Sequence, residues 1–153
     1  MLDESQKVGV FGHGFTYSGH PVGAAVALKN LELMEKRRIV DHVCDMAPLF
    51  QKRLNAFGEH GLVGESCGIG LIGACELVAD KKTKRPFDPK QGVGAYCAAR
   101  AQDHGLIVRS LGDTIAFCPP LIITADQIDE MFTRFGLALD ETEAWVAKEN
   151  LRS

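Results

Sequence analysis

The first two helices are predicted from apolar residues that recur three and four positions apart. From Pro21 to about Lys36, small and apolar residues follow this spacing behind a proline that suits the first turn of a helix. A second set with the same spacing covers residues 40–54, after a charged break at 35–38. It contains Pro48, which removes a backbone donor, so we expect a kink or an interruption there.

Two more helices are predicted in the second half of the chain. Residues 93–104 repeat apolar side chains at helical spacing and precede Gly105, which suits the left-handed position after a helix. The sequence Thr124-x-x-Gln127 is a capping box, and the residues that follow it predict a helix with one apolar face.

Short apolar runs bounded by glycine or proline predict the strands. Residues 71–78 are typical of a largely buried strand after a tight bend, and residues 80–90 of a polar surface loop. Residues 106–111 and 114–118 predict two strands joined by Gly112-Asp113, with glycine where a type II′ turn needs a positive φ. The whole pattern indicates an α+β fold, in which helices pack on a small, mainly antiparallel sheet.

Composition and charge exclude several classes of protein. The 153 residues are 46% hydrophobic, and a net charge of −3 without a basic stripe argues against binding to nucleic acid. No apolar run approaches the length of a membrane span. Five cysteines without a C-x-x-C pair predict reduced core thiols in a cytosolic, or cytoplasmic, protein, with Cys67 and Cys118 in apolar surroundings. The histidines show no metal-ligand spacing, so we expect no metal.

A glycine-rich segment, FGHGFTYSGHP at residues 11–21, leads directly into the first predicted helix. Free backbone N–H groups at a helix N-terminus form an anion site, to which Thr16 and Ser18 can add hydroxyl donors. A phosphate is the natural ligand, although the spacing matches neither a P-loop nor a dinucleotide-binding fingerprint. The alternative is that the glycines only shape a tight entry to the helix.

Arg109 is a second candidate for binding an anion. With Gly112-Asp113 as the hairpin loop, Arg109 pairs with Ala116, and Ile107 and Cys118 extend the same face. An arginine buried among apolar neighbours needs an anionic partner, because an unpaired buried guanidinium is very costly. That partner is either a carboxylate of the chain itself or the carboxylate of a substrate.

Three motifs in order carry a resemblance to a known family: residues 11–21, GIGLIG at 68–73 before a strand, and GLIVR at 105–109 followed by CPPLIIT at 118–124. Together they resemble the C-terminal part of a class III pyridoxal-phosphate-dependent aminotransferase of the ω-transaminase kind, over essentially the whole chain. The resemblance implies an aspartate aminotransferase-like fold. Residues 1–36 would be the end of the large cofactor-binding domain, and residues 37–153 the small C-terminal domain.

The resemblance also implies roles for individual residues. Gly14, Thr16 and Tyr17 match a loop that reaches the cofactor phosphate of the neighbouring subunit in a homodimer, with Thr16 as the hydroxyl donor. Arg109 matches the arginine that binds the carboxylate of an amino-acid or keto-acid substrate and moves aside for an apolar tail. No residue matches the lysine that holds the cofactor covalently, since Lys7 matches a surface position. We therefore expect an inactive fragment without a catalytic residue.

The function implied is transfer of an amino group between an amine or ω-amino acid and a keto acid such as pyruvate, with pyridoxal 5'-phosphate as the cofactor. Racemisation or decarboxylation stays open, because the residues that steer the reaction lie mostly upstream in the family. The missing lysine also leaves open a stand-alone, non-catalytic binding or regulatory module with the same fold.

Overall fold

The chain divides into two compact units, Met1–Arg38 and Ile39–Ser153. The computed structural model describes residues 7, 9, 14–16 and 18–152. In the first unit, helix α1 covers Pro21–Lys36, the bounds predicted from the sequence, with Pro21 in its first turn. α1 buries none of its residues. None of the helices in the described ranges is both long and apolar enough to cross a membrane.

The second unit is built from three α-helices and a four-stranded sheet. The elements are α2 (Ile39–Ala56), β1 (Val63–Ile69), β2 (Ile72–Leu77), α3 (Val93–Asp103), β3 (Arg109–Leu111), β4 (Thr114–Phe117) and α4 (Ala125–Lys148), with short 3₁₀ helices at Phe57–Glu59 and Pro89–Gln91. The strand order is β1-β2-β4-β3, and every neighbouring pair is antiparallel. This arrangement confirms the predicted α+β class and the antiparallel sheet.

The helices follow the sequence signals with one exception. α3 ends at Asp103, with Gly105 at φ 76°, and α4 begins with the complete capping box of Thr124 and Gln127. α2 continues through Pro48, so of the two predicted outcomes the interruption is wrong, and the kink stays a prediction. Its Phe50 and Leu54 side chains are fully buried, and we attribute the continuity of the helix to this packing, which offsets the lost backbone hydrogen bond.

The sequence did not predict β1, and it placed the start of β3 three residues too early. Two glycines of β1 are sites of close approach. A Cβ on Gly64 would lie 2.6 Å from Cγ1 of Val78, and one on Gly68 would lie 2.5 Å from the carbonyl oxygen of Ile72. These glycines let neighbouring chain segments pack closely, an effect that depends on residues outside the strand.

The helices cover only one face of the sheet. Phe117 points into the core, where its ring centroid lies 5.4 Å from that of Phe132 and 4.8 Å from that of Phe135. Cys75 and Ile115 are on the same side and are fully buried. The side chains on the opposite side, which we call the open face, are exposed or partly exposed. They are Glu65, Cys67 and Ile69 of β1, Ile72, Ala74 and Glu76 of β2, Arg109 and Leu111 of β3, and Thr114 and Ala116 of β4.

Replacing Gly73 by alanine should destabilise the chain by about 1–3 kcal/mol, because the core has no room for the added methyl group. A Cβ at this position would overlap Cδ2 of Leu54 and lie 3.2 Å from Cε1 of Phe50. The measurement is the free energy of unfolding in urea.

Gly136→Ala is the matched control. Its Cβ would meet Cε1 of Phe57 at 3.7 Å, an ordinary contact, inside α4, where alanine is favoured over glycine by about 1 kcal/mol. Equal stability changes in the two variants would contradict the packing described for Gly73.

Candidate functional site

The glycine-rich loop presents two of its three predicted ligands to solvent. Gly14 and Thr16 are exposed, whereas Tyr17 and residues 11–13 lie outside the described residues. A turn holds the loop, because the N–H of Phe15 donates to Oγ of Ser18 at 2.8 Å and the N–H of Ser18 donates to the carbonyl of Phe15 at 2.8 Å. The Thr16 hydroxyl makes no hydrogen bond to any residue that the structure describes.

The start of α1 is compatible with an anion. His20 occupies the N-cap position without a side-chain hydrogen bond to the helix, and the first turn carries no acidic residue. The first-turn N–H groups therefore have no side-chain acceptor from the cap, and they carry the partial positive charge of a helix N-terminus. The loop and helix together supply the donors that a phosphate requires.

The hairpin that carries Arg109 has the predicted register. Arg109 pairs with Ala116, Ser110 with Ile115, and Leu111 with Thr114. In the two-residue loop Gly112 has a φ of 61° and Asp113 has a negative φ, which agrees with a type II′ turn. The register places Arg109 on the open face.

Arg109 is exposed, so the prediction that it is buried is wrong. Alternation along a strand shows which residues share a face, but it does not show which face the helices cover. The side chain of Arg109 makes no ion pair or hydrogen bond within the described ranges, so no carboxylate there binds its guanidinium. Its guanidinium is available to an anion from outside the chain.

Small and apolar side chains surround Arg109 on the open face. Cys67, Ala74, Ala116 and Arg109 form one row across the four strands. The two alanines leave space beside the guanidinium. Ile107, two residues before Arg109, is 89% exposed. Such a surface can bind a molecule with a carboxylate at one end and an apolar chain beside it.

The neighbouring acidic side chains lie in the next row toward the hairpin loop. Glu65 and Glu76 face each other across β1 and β2. Lys84 Nζ lies 2.6 Å from Oε2 of Glu65, and its hydrogen bond and charge hold the pKa of this carboxyl below its usual value. Lys84 thus offsets part of the negative charge in this row.

The prediction that the cysteines are core thiols is wrong for three of the five. Cys44, Cys67 and Cys118 are exposed, and Cys75 and Cys97 are buried. Cys67 pairs with Ala74 on the open face, so Cys75 lies on the core side. Burial raises the pKa of Cys75 to about 12 and that of Cys97 to about 11, so neither is a nucleophile at neutral pH.

Within the described part of the chain, no three histidine, cysteine or acidic side chains are grouped as a metal site.

The sequence profile of the family "Aminotransferase class-III" matches residues 3–139. The chain belongs to this family. Its members depend on pyridoxal 5'-phosphate, the cofactor predicted from the sequence.

Relatives with recorded functions are aminotransferases. Gamma aminobutyrate transaminase 3, chloroplastic, of Solanum lycopersicum is 44% identical over 153 residues, which are 100% of this chain and 29% of that protein. Putrescine–pyruvate aminotransferase of Pseudomonas aeruginosa is 48% identical over 147 residues, 95% of this chain and 32% of that protein.

Solved structures agree on the fold. A thermostable omega transaminase of Pseudomonas jessenii is 49% identical and superposes with a TM-score of 0.81, over 95% of this chain and 32% of the other. The predicted fold, part of a pyridoxal-phosphate-dependent transferase, is therefore confirmed. The chain spans about a third of the length of the relatives it matches.

Three of the five thiols should react with an alkylating reagent in the folded chain at pH 8. We expect labelling of Cys44, Cys67 and Cys118, because they are exposed, and labelling of Cys75 and Cys97 only after unfolding. Peptide mass spectrometry identifies the modified positions. Cys67→Ala is the control and should remove one label. Reaction of Cys75 as fast as Cys67 would contradict the assignment of the two faces.

Proposed function

We propose that this chain forms the C-terminal part of a pyridoxal-phosphate-dependent aminotransferase. The enzyme transfers an amino group from an amine or ω-amino acid to a keto acid such as pyruvate. The observation that carries the proposal is Arg109, exposed on the open face beside Ala116 and without a partner in the described ranges. The names of the relatives, which include gamma aminobutyrate and putrescine–pyruvate enzymes, support this substrate class.

Residues 1–36 in this proposal end the large cofactor-binding domain, and residues 37–153 form the small C-terminal domain. The division of the chain into Met1–Arg38 and Ile39–Ser153 supports a boundary in this region. Each unit then contributes one group that binds an anion: the loop before α1 binds a phosphate, and Arg109 binds a carboxylate.

Gly14, Thr16 and Tyr17 would hold the cofactor phosphate. The exposed Thr16 hydroxyl and the start of α1, which lacks a side-chain cap, fit a phosphate group. When bound, pyridoxal phosphate supplies the aldehyde that takes up the amino group and the ring that withdraws electrons from the reacting carbon. The part of this chain is to hold and orient the phosphate end.

Arg109 would bind the substrate carboxylate. Its planar guanidinium can donate two parallel hydrogen bonds to a carboxylate. This pair of bonds fixes the orientation of the acid and increases the affinity of the enzyme for it. The alanines at positions 74 and 116 leave space for the bound acid, and the exposed Ile107 can contact its apolar part. A simple amine has no carboxylate and therefore does not use this contact.

We also propose that the enzyme is a homodimer in which this loop reaches the phosphate bound by the other subunit. The surface of α1 supports a partner, since Val22, Val26, Leu28 and Leu31 are between 58% and 64% exposed.

A cytoplasmic location is part of the same proposal and is supported by five free thiols. Several plant relatives are named as chloroplastic or mitochondrial enzymes.

In the full-length enzyme, Arg109→Ala should raise KM for keto acids about ten- to a hundredfold, because a charge-assisted hydrogen-bond pair is lost. KM for a simple amine should stay within about twofold, since the amine does not contact this residue. Steady-state kinetics with pyruvate and with a simple amine measures both values. Arg152→Ala, which removes an arginine paired with Glu143 on α4, is the matched control. An equal loss for both substrates would argue against a carboxylate-binding role.

Thr16→Val should weaken cofactor binding about three- to tenfold, because valine keeps the shape of threonine and removes the hydroxyl donor. The measurement is the Kd of pyridoxal phosphate, from titration of the full-length apoenzyme followed by absorbance. Thr83→Val removes an exposed hydroxyl of the 80–90 loop, which donates to Asp80, and serves as the control. An unchanged Kd in Thr16→Val would remove this residue from the phosphate site.

A further inference from the structure

Asp113 joins the β3–β4 hairpin loop to two other elements. Its side-chain Oδ1 accepts a hydrogen bond from the N–H of Gly94, in the first turn of α3, at 2.8 Å. Its carbonyl oxygen accepts the N–H of Leu77, at the end of β2, at 2.9 Å. One residue therefore fixes the loop to both the helix and the sheet.

The carboxylate of Asp113 takes the place of an ordinary helix cap. The N-cap residue of α3 is Gly92, which has no side chain to accept a hydrogen bond from the first turn. Asp113 supplies that acceptor from a different part of the chain, and its negative charge is favourable at a helix N-terminus.

Gly94 lets the loop and the helix approach closely. A Cβ on Gly94 would overlap the carbonyl oxygen of Gly112 and lie 2.8 Å from Cα of Asp113. The first turn of α3 therefore contacts the loop backbone directly. A side chain at position 94 would displace the hairpin loop even with the carboxylate in place.

The segment that contains Arg109 is held at both ends by contacts with the helices. At its start the N–H of Leu106 donates to the carbonyl of Ala101 at 2.8 Å, and Nη1 of Arg134 donates to the carbonyl of Gly105 at 2.9 Å. At its end the loop is fixed by Asp113. Between these points β3 is three residues long, and among the described strands it pairs only with β4. The position of Arg109 thus depends on both attachments.

We propose that Asp113 is a positioning residue for Arg109. By fixing the hairpin loop against α3, it holds β3 where the guanidinium meets the substrate carboxylate. The inference rests on the function proposed for Arg109. Its consequence is that loss of the Asp113 carboxylate weakens binding of keto acids selectively, because the arginine is displaced and the rest of the enzyme is unchanged.

The test uses the full-length holoenzyme and compares KM for pyruvate with KM for a simple amine. Asp113→Ala and Gly94→Ala should each raise KM for pyruvate about fivefold and leave the amine KM within about twofold, with kcat little changed. Asp113→Asn should restore pyruvate KM nearly to the wild-type value, since its amide oxygen can accept the Gly94 N–H. Thr124→Ala, which removes the cap of α4, is the matched control. It should lower the Tm without separating the two KM values.

Asp113→Glu keeps an acceptor and a charge, and so preserves the folded enzyme if Asp113→Ala does not fold. Its extra methylene shifts the loop, and we expect about a threefold rise in pyruvate KM. Equal changes in both KM values, or none, in the Asp113 and Gly94 variants would overturn the inference. If Arg109→Ala itself separates the two KM values, only the role of Asp113 is lost. If Arg109→Ala does not separate them, the proposed function fails as well.

Discussion

The packing of Phe117 against Phe132 and Phe135 decides the arrangement of the second unit. These contacts hold α4 on one face of the sheet, and the ring of Phe50, 5.1 Å from that of Phe132, brings α2 to the same side. Side chains alternate along a strand, so covering one face leaves every second residue on the other. The hydrophobic core and the exposed position of Arg109 are two results of the same packing.

This separation of faces explains how the charged side chain of Arg109 can lie on a strand at the edge of the sheet without a partner in the described residues. A guanidinium on the core face would need a buried carboxylate, which would occupy its hydrogen-bond donors. On the open face the cation costs little and stays available. The small residues Ala74 and Ala116 lie in the same row, so the sheet presents both a charge and the space beside it.

The two units are suited to different anionic groups. The loop before α1 offers backbone donors and the Thr16 hydroxyl, which match the several oxygens of a phosphate. The β3–β4 hairpin offers a single planar fork, which matches a carboxylate. In the proposed enzyme the first unit would hold a phosphate and the second unit a carboxylate.

Local rules accounted for much of this structure. The period of apolar residues set the bounds of α1, the capping box set the start of α4, and Gly112 set the hairpin register that pairs Arg109 with Ala116. These elements were predictable because each depends on residues within a few positions of one another. The sequence motifs also singled out Arg109 and the loop at Thr16, whose binding roles stay predictions.

Only the tertiary structure decided the strand β1, the unbroken course of α2 through Pro48, the exposure of Arg109 and Cys67, and the bond between Asp113 and Gly94. Each of these depends on contacts between segments that are distant in the chain. The alternation of residues along a strand is the same whichever face the helices cover. The sequence alone does not distinguish a glycine in a tight contact from a glycine in a loop. The packing of elements that are distant in the chain decides between those possibilities, and the periodicity of the sequence does not show the outcome.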